Sequence, residues 1–129
     1  LVKMQQIRTS IQKPFSILAG SGSFFLPALS VGADGGIMAL ANIAPHLCIE
    51  LFNLYDHQRM DEARLLQNQL TPLNIAITSR WGVPALKSAL EMLGLYGGPV
   101  RPPLVDFEDQ LKPALRQLME TVLKERMVI

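Results

Sequence analysis

Two short apolar runs, each joined to a turn of small residues and each handing over to a helix, limit what this chain can build more than any other feature. Phe15-Ser16-Ile17-Leu18-Ala19 leads into Gly20-Ser21-Gly22-Ser23, and Gly35-Gly36 leads into Ile37-Met38-Ala39-Leu40-Ala41. Runs of this length, bounded by glycine and alternating with helices, predict parallel strands buried on both faces, because crossover helices cover such a sheet. The expected order is strand, helix, strand, helix, an α/β arrangement. Two strands make neither a closed sheet nor a doubly covered one, so the expected fold is a part of a larger one.

With 49% hydrophobic residues in 129, the chain has the composition of a globular core rather than a disordered tail. Twelve Lys and Arg stand against eleven Asp and Glu, a net charge of +1. They are dispersed along the chain, so no electrostatic footprint for nucleic acid is present. The longest apolar runs fall far short of the roughly eighteen residues that span a bilayer. No membrane partner is expected, and Leu1-Val2-Lys3-Met4-Gln5-Gln6 resembles neither a signal nor a transit peptide. The chain opens without Met and in mid-motif, which leads us to expect a segment of a longer protein. A single cysteine, Cys48, forbids an intrachain disulfide and fits a reducing compartment. It falls on an amphipathic helix, where an inert buried thiol is expected.

The remainder reads as helix. Val2, Met4, Ile7 and Ile11 approximate one face of a first helix over residues 1–10, which Pro14 stops. A short helix over about 24–30 follows the glycine turn. Beyond Asn42, a plausible cap, Ala44, Leu47, Cys48, Leu51, Phe52, Leu54 and Tyr55 form one apolar stripe, with Pro45 in the first turn. A second stripe carries Ala63, Leu66, Leu70 and Leu73, with Pro72 kinking or ending it. A third helix opens at Pro84, runs through Leu86, Ala89, Leu90 and Leu93, and stops at Gly94. Residues 96–103 form an irregular connection. The last helix spans about 110–124, with Leu111, Leu115, Leu118, Met119 and Val122 inward and Pro113 in its first turn.

Few residues are placed for chemistry. The turn at 19–23 lies where a strand meets a helix, and backbone N–H groups there can hold an anion. It is equally a tight turn that needs small residues. As a dinucleotide fingerprint it fails, since Phe25 stands where the third glycine belongs. His46 and His57 sit eleven positions apart on one helix, about 16 Å along its axis. They cannot ligate one metal, and no metal site is expected. Ser21 and Ser23 have no histidine placed by motif, so a hydrolase triad is not expected either. An imine-forming lysine needs a desolvated place on an apolar strand. Lys3, Lys13, Lys87, Lys112 and Lys124 all lie on helices or at a helix end, so none qualifies.

Four segments nonetheless form an ordered set: Leu18-Ala19-Gly20-Ser21; Gly35-Gly36-Ile37-Met38-Ala39-Leu40-Ala41-Asn42; Arg80-Trp81-Gly82-Val83-Pro84-Ala85-Leu86-Lys87; and Gly94-Leu95-Tyr96-Gly97-Gly98-Pro99-Val100-Arg101-Pro102-Pro103-Leu104. In this order and spacing they resemble the C-terminal half of the dihydrodipicolinate synthase and N-acetylneuraminate lyase family. The Tyr-Gly-Gly-Pro connection is most similar to that of 4-hydroxy-2-oxoglutarate aldolase. The resemblance implies the last two strand-helix units of a (β/α)8 TIM barrel over residues 1–57 and a C-terminal helical extension over 58–129. It also implies class I, Schiff-base lyase chemistry on a 2-oxo acid of the pyruvate or glyoxylate class, without a cofactor. Assembly is expected as a homotetramer, a dimer of dimers, in a cytoplasmic or mitochondrial setting.

By the same resemblance Gly20, Ser21 and Gly22 border the substrate after the seventh strand, and Ile37 turns its carbonyl toward the imine region. The family's imine lysine and relay tyrosine match positions upstream of Leu1, so no catalytic residue is assigned to this chain and it is expected to be inactive alone. A non-catalytic partner of full-length subunits is the alternative of a different class. A phosphate-binding α/β domain, resting on the glycine turn alone, is a third. A full barrel takes about 250 residues, so two strands leave a sheet edge and an apolar face open. The isolated chain is therefore expected to self-associate or to require a partner. Sedimentation at micromolar concentration tests this, and a monomer that melts cooperatively would contradict it.

Overall fold

A computed structural model describes residues 1–123. The chain order is α1 (Val2–Ser10), β1 (Leu18–Ala19), a 3-10 turn (Gly22–Phe24), α2 (Phe25–Ser30), β2 (Gly35–Gly36), a second 3-10 turn (Ala39–Asn42) and α3 (Pro45–Asp56). Then follow α4 (Met60–Ile75), a π-helical turn (Ala76–Arg80), α5 (Gly82–Met92), a 3-10 turn (Asp109–Leu111) and α6 (Lys112–Leu123). The structure is mostly helical. Its two short strands pair in parallel, Leu18 with Gly35 and Ala19 with Gly36.

The parallel pair and its one open face agree with the expectation for two strands on their own; the extent of the strands does not. Each strand has two residues, and the second precedes the apolar run expected to form it. Beyond Met38 that run winds into the 3-10 turn at 39–42, which buries Leu40 completely. Only one face of the sheet is covered. Ala19 is buried, whereas Leu18 and Ile37, on the opposite side, are 47% and 75% exposed. The covered face carries only small residues at the paired positions, Ala19 and Gly36.

The helical stripes follow the sequence more closely. On α3, Leu47, Cys48, Leu51 and Leu54 are buried, with Phe52 and Tyr55 packed partly against them. On α4, Ala63, Leu66, Leu70 and Leu73 all face the core. Helix α6 contributes Leu115, Met119 and Leu123, with Leu118 and Val122 at the margin; Lys124, within the expected span, lies outside the described residues. These side chains join Phe25, Leu26, Ala28 and Leu29 of α2 in one apolar cluster. Cys48 sits inside it, and burial pushes its thiol up to about 11, so the unreactive thiolate-poor state prevails.

Two boundaries depart from expectation for local reasons. Pro72 neither ends nor breaks α4. Asn68 and Pro72 both lie on the exposed side of the helix, opposite Leu70 and Leu73, which hold it to the core. The ladder slips one turn later, where the Trp81 N–H donates to Ala76 O at 3.0 Å, the five-residue spacing of a π turn. Asn42 does not cap α3. Its Nδ2 donates to Ala39 O within the 3-10 turn, and Ala44 holds the cap position without a side-chain bond.

At the far end, α5 closes with paired bonds from Gly94 N–H to Glu91 O and from Leu95 N–H to Leu90 O, each 3.0 Å, with Gly94 at φ +75°. This is the Schellman arrangement expected of a glycine stop. The following connection is clamped back onto α5. The Glu91 carboxylate accepts the N–H groups of Gly97 at 2.8 Å and Gly98 at 3.0 Å, while Lys87 Nζ donates to Gly97 O at 2.6 Å.

The Gly98 and Gly97 N–H groups hold the Glu91 carboxyl below its ordinary value of 4.5. A carboxyl with a lowered folded pKa contributes its stabilisation fully above the unfolded value and loses it as pH falls through the folded one. The amide resonances of Gly97 and Gly98 are thus expected to hold steady at neutral pH and shift together at a midpoint below 4.5. In Glu91→Gln the transition should vanish; an NMR pH titration of both proteins checks this.

Candidate functional site

Parallel pairing of Ala19 with Gly36 brings the residues after each strand to one end of the sheet. Gly20 and Ile37 stand next to one another there, and the Ile37 N–H donates to Ala19 O at 2.9 Å. Ser21 is extended, half-buried, and its Oγ accepts the Ser23 N–H at 3.3 Å, starting the 3-10 turn that contains buried Gly22. The four residues assigned to the site from sequence, Gly20, Ser21, Gly22 and Ile37, are therefore neighbours at the C-terminal end of the strand pair. None of the described lysines lies on either strand.

What fixes this turn was not read from the sequence. Gln67, Thr71 and Asn74 form a polar row on α4, beside the apolar stripe, at spacings of four and three. The Gln67 side chain is buried. Its Oε1 accepts the Leu26 N–H at 2.9 Å, and its Nε2 donates to Gly22 O at 2.8 Å and to Thr71 Oγ1 at 3.0 Å. Asn74 is completely buried. Its Nδ2 donates to Ser23 Oγ at 2.7 Å and to Ser21 Oγ at 3.2 Å, while its Oδ1 has no hydrogen-bond partner. The signal was available: polar residues recurring with the period of the core stripe need partners if they turn inward.

The first strand is braced from the other side. Asp34 Oδ2 accepts the Ile17 N–H at 2.7 Å and the Arg8 Nη2–H at 2.5 Å, and Arg8 Nε donates to Gly32 O at 2.9 Å. The Ile17 N–H and the Arg8 guanidinium hold the Asp34 carboxyl below its ordinary value. Both groups are substantially exposed, so this is an orienting contact rather than a large source of stability. Elsewhere, His46 and His57 are exposed at opposite ends of α3, and among the described residues no group of three or more His, Cys, Asp or Glu is placed to hold a metal. No helix of the described residues is long and apolar enough to cross a membrane.

Comparison with known proteins places this arrangement. Residues 1–122 match the model of the dihydrodipicolinate synthetase family. A 4-hydroxy-tetrahydrodipicolinate synthase of Gluconobacter oxydans is 33% identical over 109 residues, covering 84% of this chain and 37% of that protein. Among solved structures, one from Thermus thermophilus described as a dihydrodipicolinate synthase superposes with a TM-score of 0.89 at 35% identity, over 100% of this chain and 44% of the other. The 4-hydroxy-tetrahydrodipicolinate synthase of Methylacidiphilum fumariolicum SolV gives 0.84 at 30% identity, over 95% and 41%. The chain thus spans about two fifths of the length of the proteins it matches. These relatives are named as synthases and not as 4-hydroxy-2-oxoglutarate aldolase.

The two glycines of the turn differ sharply in the space around them. A Cβ on Gly20 meets nothing within 4 Å, whereas one on Gly22 lies 2.9 Å from Asn74 Oδ1 and 3.0 Å from Leu40 Cδ2. Gly22→Ala is expected to destabilise the fold by about 1–3 kcal/mol, as overpacking does. Gly20→Ala should stay within about 0.5 kcal/mol of the parent, as a substitution that touches nothing does. Paired denaturant melts measure both, and equal losses would remove the distinction.

Proposed function

The chain belongs to the dihydrodipicolinate synthetase family, and on that footing we propose that it is the C-terminal portion of a class I aldolase or lyase acting on a pyruvate-type 2-oxo acid. The observation that carries this reading is the half-covered sheet, whose open side exposes Leu18 and Ile37 beside the turn at 20–23. In this proposal residues 1–57 are the end of the barrel and the helical extension starts at residue 58 and takes in the described residues up to 123. Gly20, Ser21, Gly22 and Ile37 line the substrate, and Gly20 in particular presents bare backbone to open space. The imine lysine comes from the strands that complete the barrel.

In such chemistry the protonated imine withdraws electrons from the carbon beside the former ketone, which can then leave or attack as an enamine. The contribution of this chain is shape: a turn rigid enough to hold a keto acid against an amine supplied from elsewhere. The likeness of the connection at 96–104 favours 4-hydroxy-2-oxoglutarate cleavage, whereas the names of the relatives favour 4-hydroxy-tetrahydrodipicolinate synthesis. We propose assembly as a dimer of dimers inside the cell, in the cytoplasm or a mitochondrion, following the family likeness. A second reading, a non-catalytic partner of intact subunits, is favoured by the absence of a strand lysine among the described residues.

Pyruvate with borohydride, followed by intact mass measurement, tests the proposal. The chain alone should gain no adduct. Co-expressed with a polypeptide supplying the remaining strand-helix units of the family, it should yield a complex in which that polypeptide, not this chain, is trapped as the reduced imine. An adduct on this chain, or none on either, overturns the proposal. Recovery of the chain bound only to complete, already active subunits supports the second reading instead.

A further inference from the structure

A serine hydroxyl carries one hydrogen to donate and two lone pairs to accept with. At Ser21 both lone pairs are engaged, one by the Ser23 N–H at 3.3 Å and one by Asn74 Nδ2 at 3.2 Å. The hydroxyl hydrogen must therefore point to neither. Ser21 is half-buried, and its neighbour Gly20 opens on space free of protein atoms. Asn74 sets this polarity: its NH2 end faces the two serines, and its completely buried carbonyl is left without a partner. Buried polar groups rarely stay unpaired, and here the orphan is the counterpart of turning the donor end toward the turn.

We infer that Asn74 is a positioning residue that commits Ser21 to act as a hydrogen-bond donor toward an oxygen of the bound 2-oxo acid. This rests on the proposed function, since it is that reading which puts an anionic keto acid at the open end of the sheet. The relevant chemistry is a neutral donor aimed at a charged or polarised oxygen, the stronger class of hydrogen bond. Ser23 takes the shorter contact from Asn74, 2.7 Å, and anchors the amide, while Ser21, next to Gly20, keeps its hydroxyl hydrogen unspent by these two partners.

The test uses the complex of this chain with the polypeptide that completes the barrel. Ser21→Ala removes the donor and is expected to raise KM for the 2-oxo acid about 10-fold, with kcat within about 2-fold of the parent. Asn74→Asp nearly preserves shape, but a carboxylate only accepts; it draws the serine hydrogens to itself and should raise KM by at least about 10-fold. Asn74→Ala unpins the turn but leaves the hydrogen free, so its effect on KM should be smaller than that of Asn74→Asp. A merely structural role predicts the reverse order, or equal losses in kcat, and either result overturns the inference. So does a KM for Ser21→Ala within about 2-fold of the parent. Should Asn74→Asp fail to fold, as judged by circular dichroism, adding Asn74→Ala to Ser21→Ala decides: an unchanged KM supports the inference, and a further rise of more than about 3-fold overturns it. A parent complex without turnover sinks the proposed function and this inference with it; an active parent with unmoved variants sinks the inference alone.

Discussion

The bonds from the buried Gln67 amide to the backbone at Gly22 and Leu26 are the joint on which the arrangement depends. They connect residues 41 and 45 positions apart in the chain, from the middle of a long helix to the turn after the first strand. An amide in the core cannot fall back on water, so it tolerates only one geometry of the backbone it serves. The turn is thereby positioned by α4 and not by its own strand, which has two residues and little hold of its own. The strand end and the helical extension share one apolar cluster and one polar joint, so shaping the candidate pocket is as much the work of the helices as of the sheet.

Much of this was legible in sequence because burial in helices repeats every three to four residues, and leucine spells out the pattern. Ala63, Leu66, Leu70 and Leu73 on α4 are the plain example. The strands were legible in kind and direction but not in extent. Apolar residues at 37–41 satisfy a strand pattern as well as a buried turn, and the chain uses those after Met38 in a 3-10 turn that buries Leu40. The position of the site was legible too, since small residues after a strand mark a place where backbone is exposed. Its support was not. Gln67, Thr71 and Asn74 have the composition of a solvent face, and it is the burial of Gln67 and Asn74 and their bonds to Gly22 and the two serines that show the row turned inward.

The two faces of the short sheet argue for different surroundings. On one, Ala19 and Gly36 are minimal, and the space over Gly36 is closed by its own strand pair and Met38: the Gly36 Cβ position lies 3.1 Å from both Ala19 O and Met38 Sδ. On the other, Leu18 pairs across to Gly35, and Leu18 and Ile37 stay exposed. A single exposed apolar side chain carries no information. Two branched aliphatic ones on the open face of a parallel pair do, because parallel sheets are found covered on both sides. That asymmetry accords with a chain spanning about two fifths of the relatives it matches.

Under the proposed function, the chemistry divides along the same line. Covalent capture of a ketone requires an amine held neutral in an apolar setting, whereas on α5 and α6 Lys87 donates to Gly97 O and Lys112 pairs with Asp109. What this chain offers at the sheet end is uncharged, namely bare glycine backbone, two serine hydroxyls and the Ile37 main chain. Uncharged donors can orient an anionic substrate without drawing the proton from an imine or stabilising a misplaced charge. A turn of this composition, pinned from behind by amides rather than by ions, keeps its polarity as pH changes, because neither Gln67 nor Asn74 titrates. Under that reading the pH dependence of imine formation belongs to the lysine-bearing part, not to the amides that pin this loop.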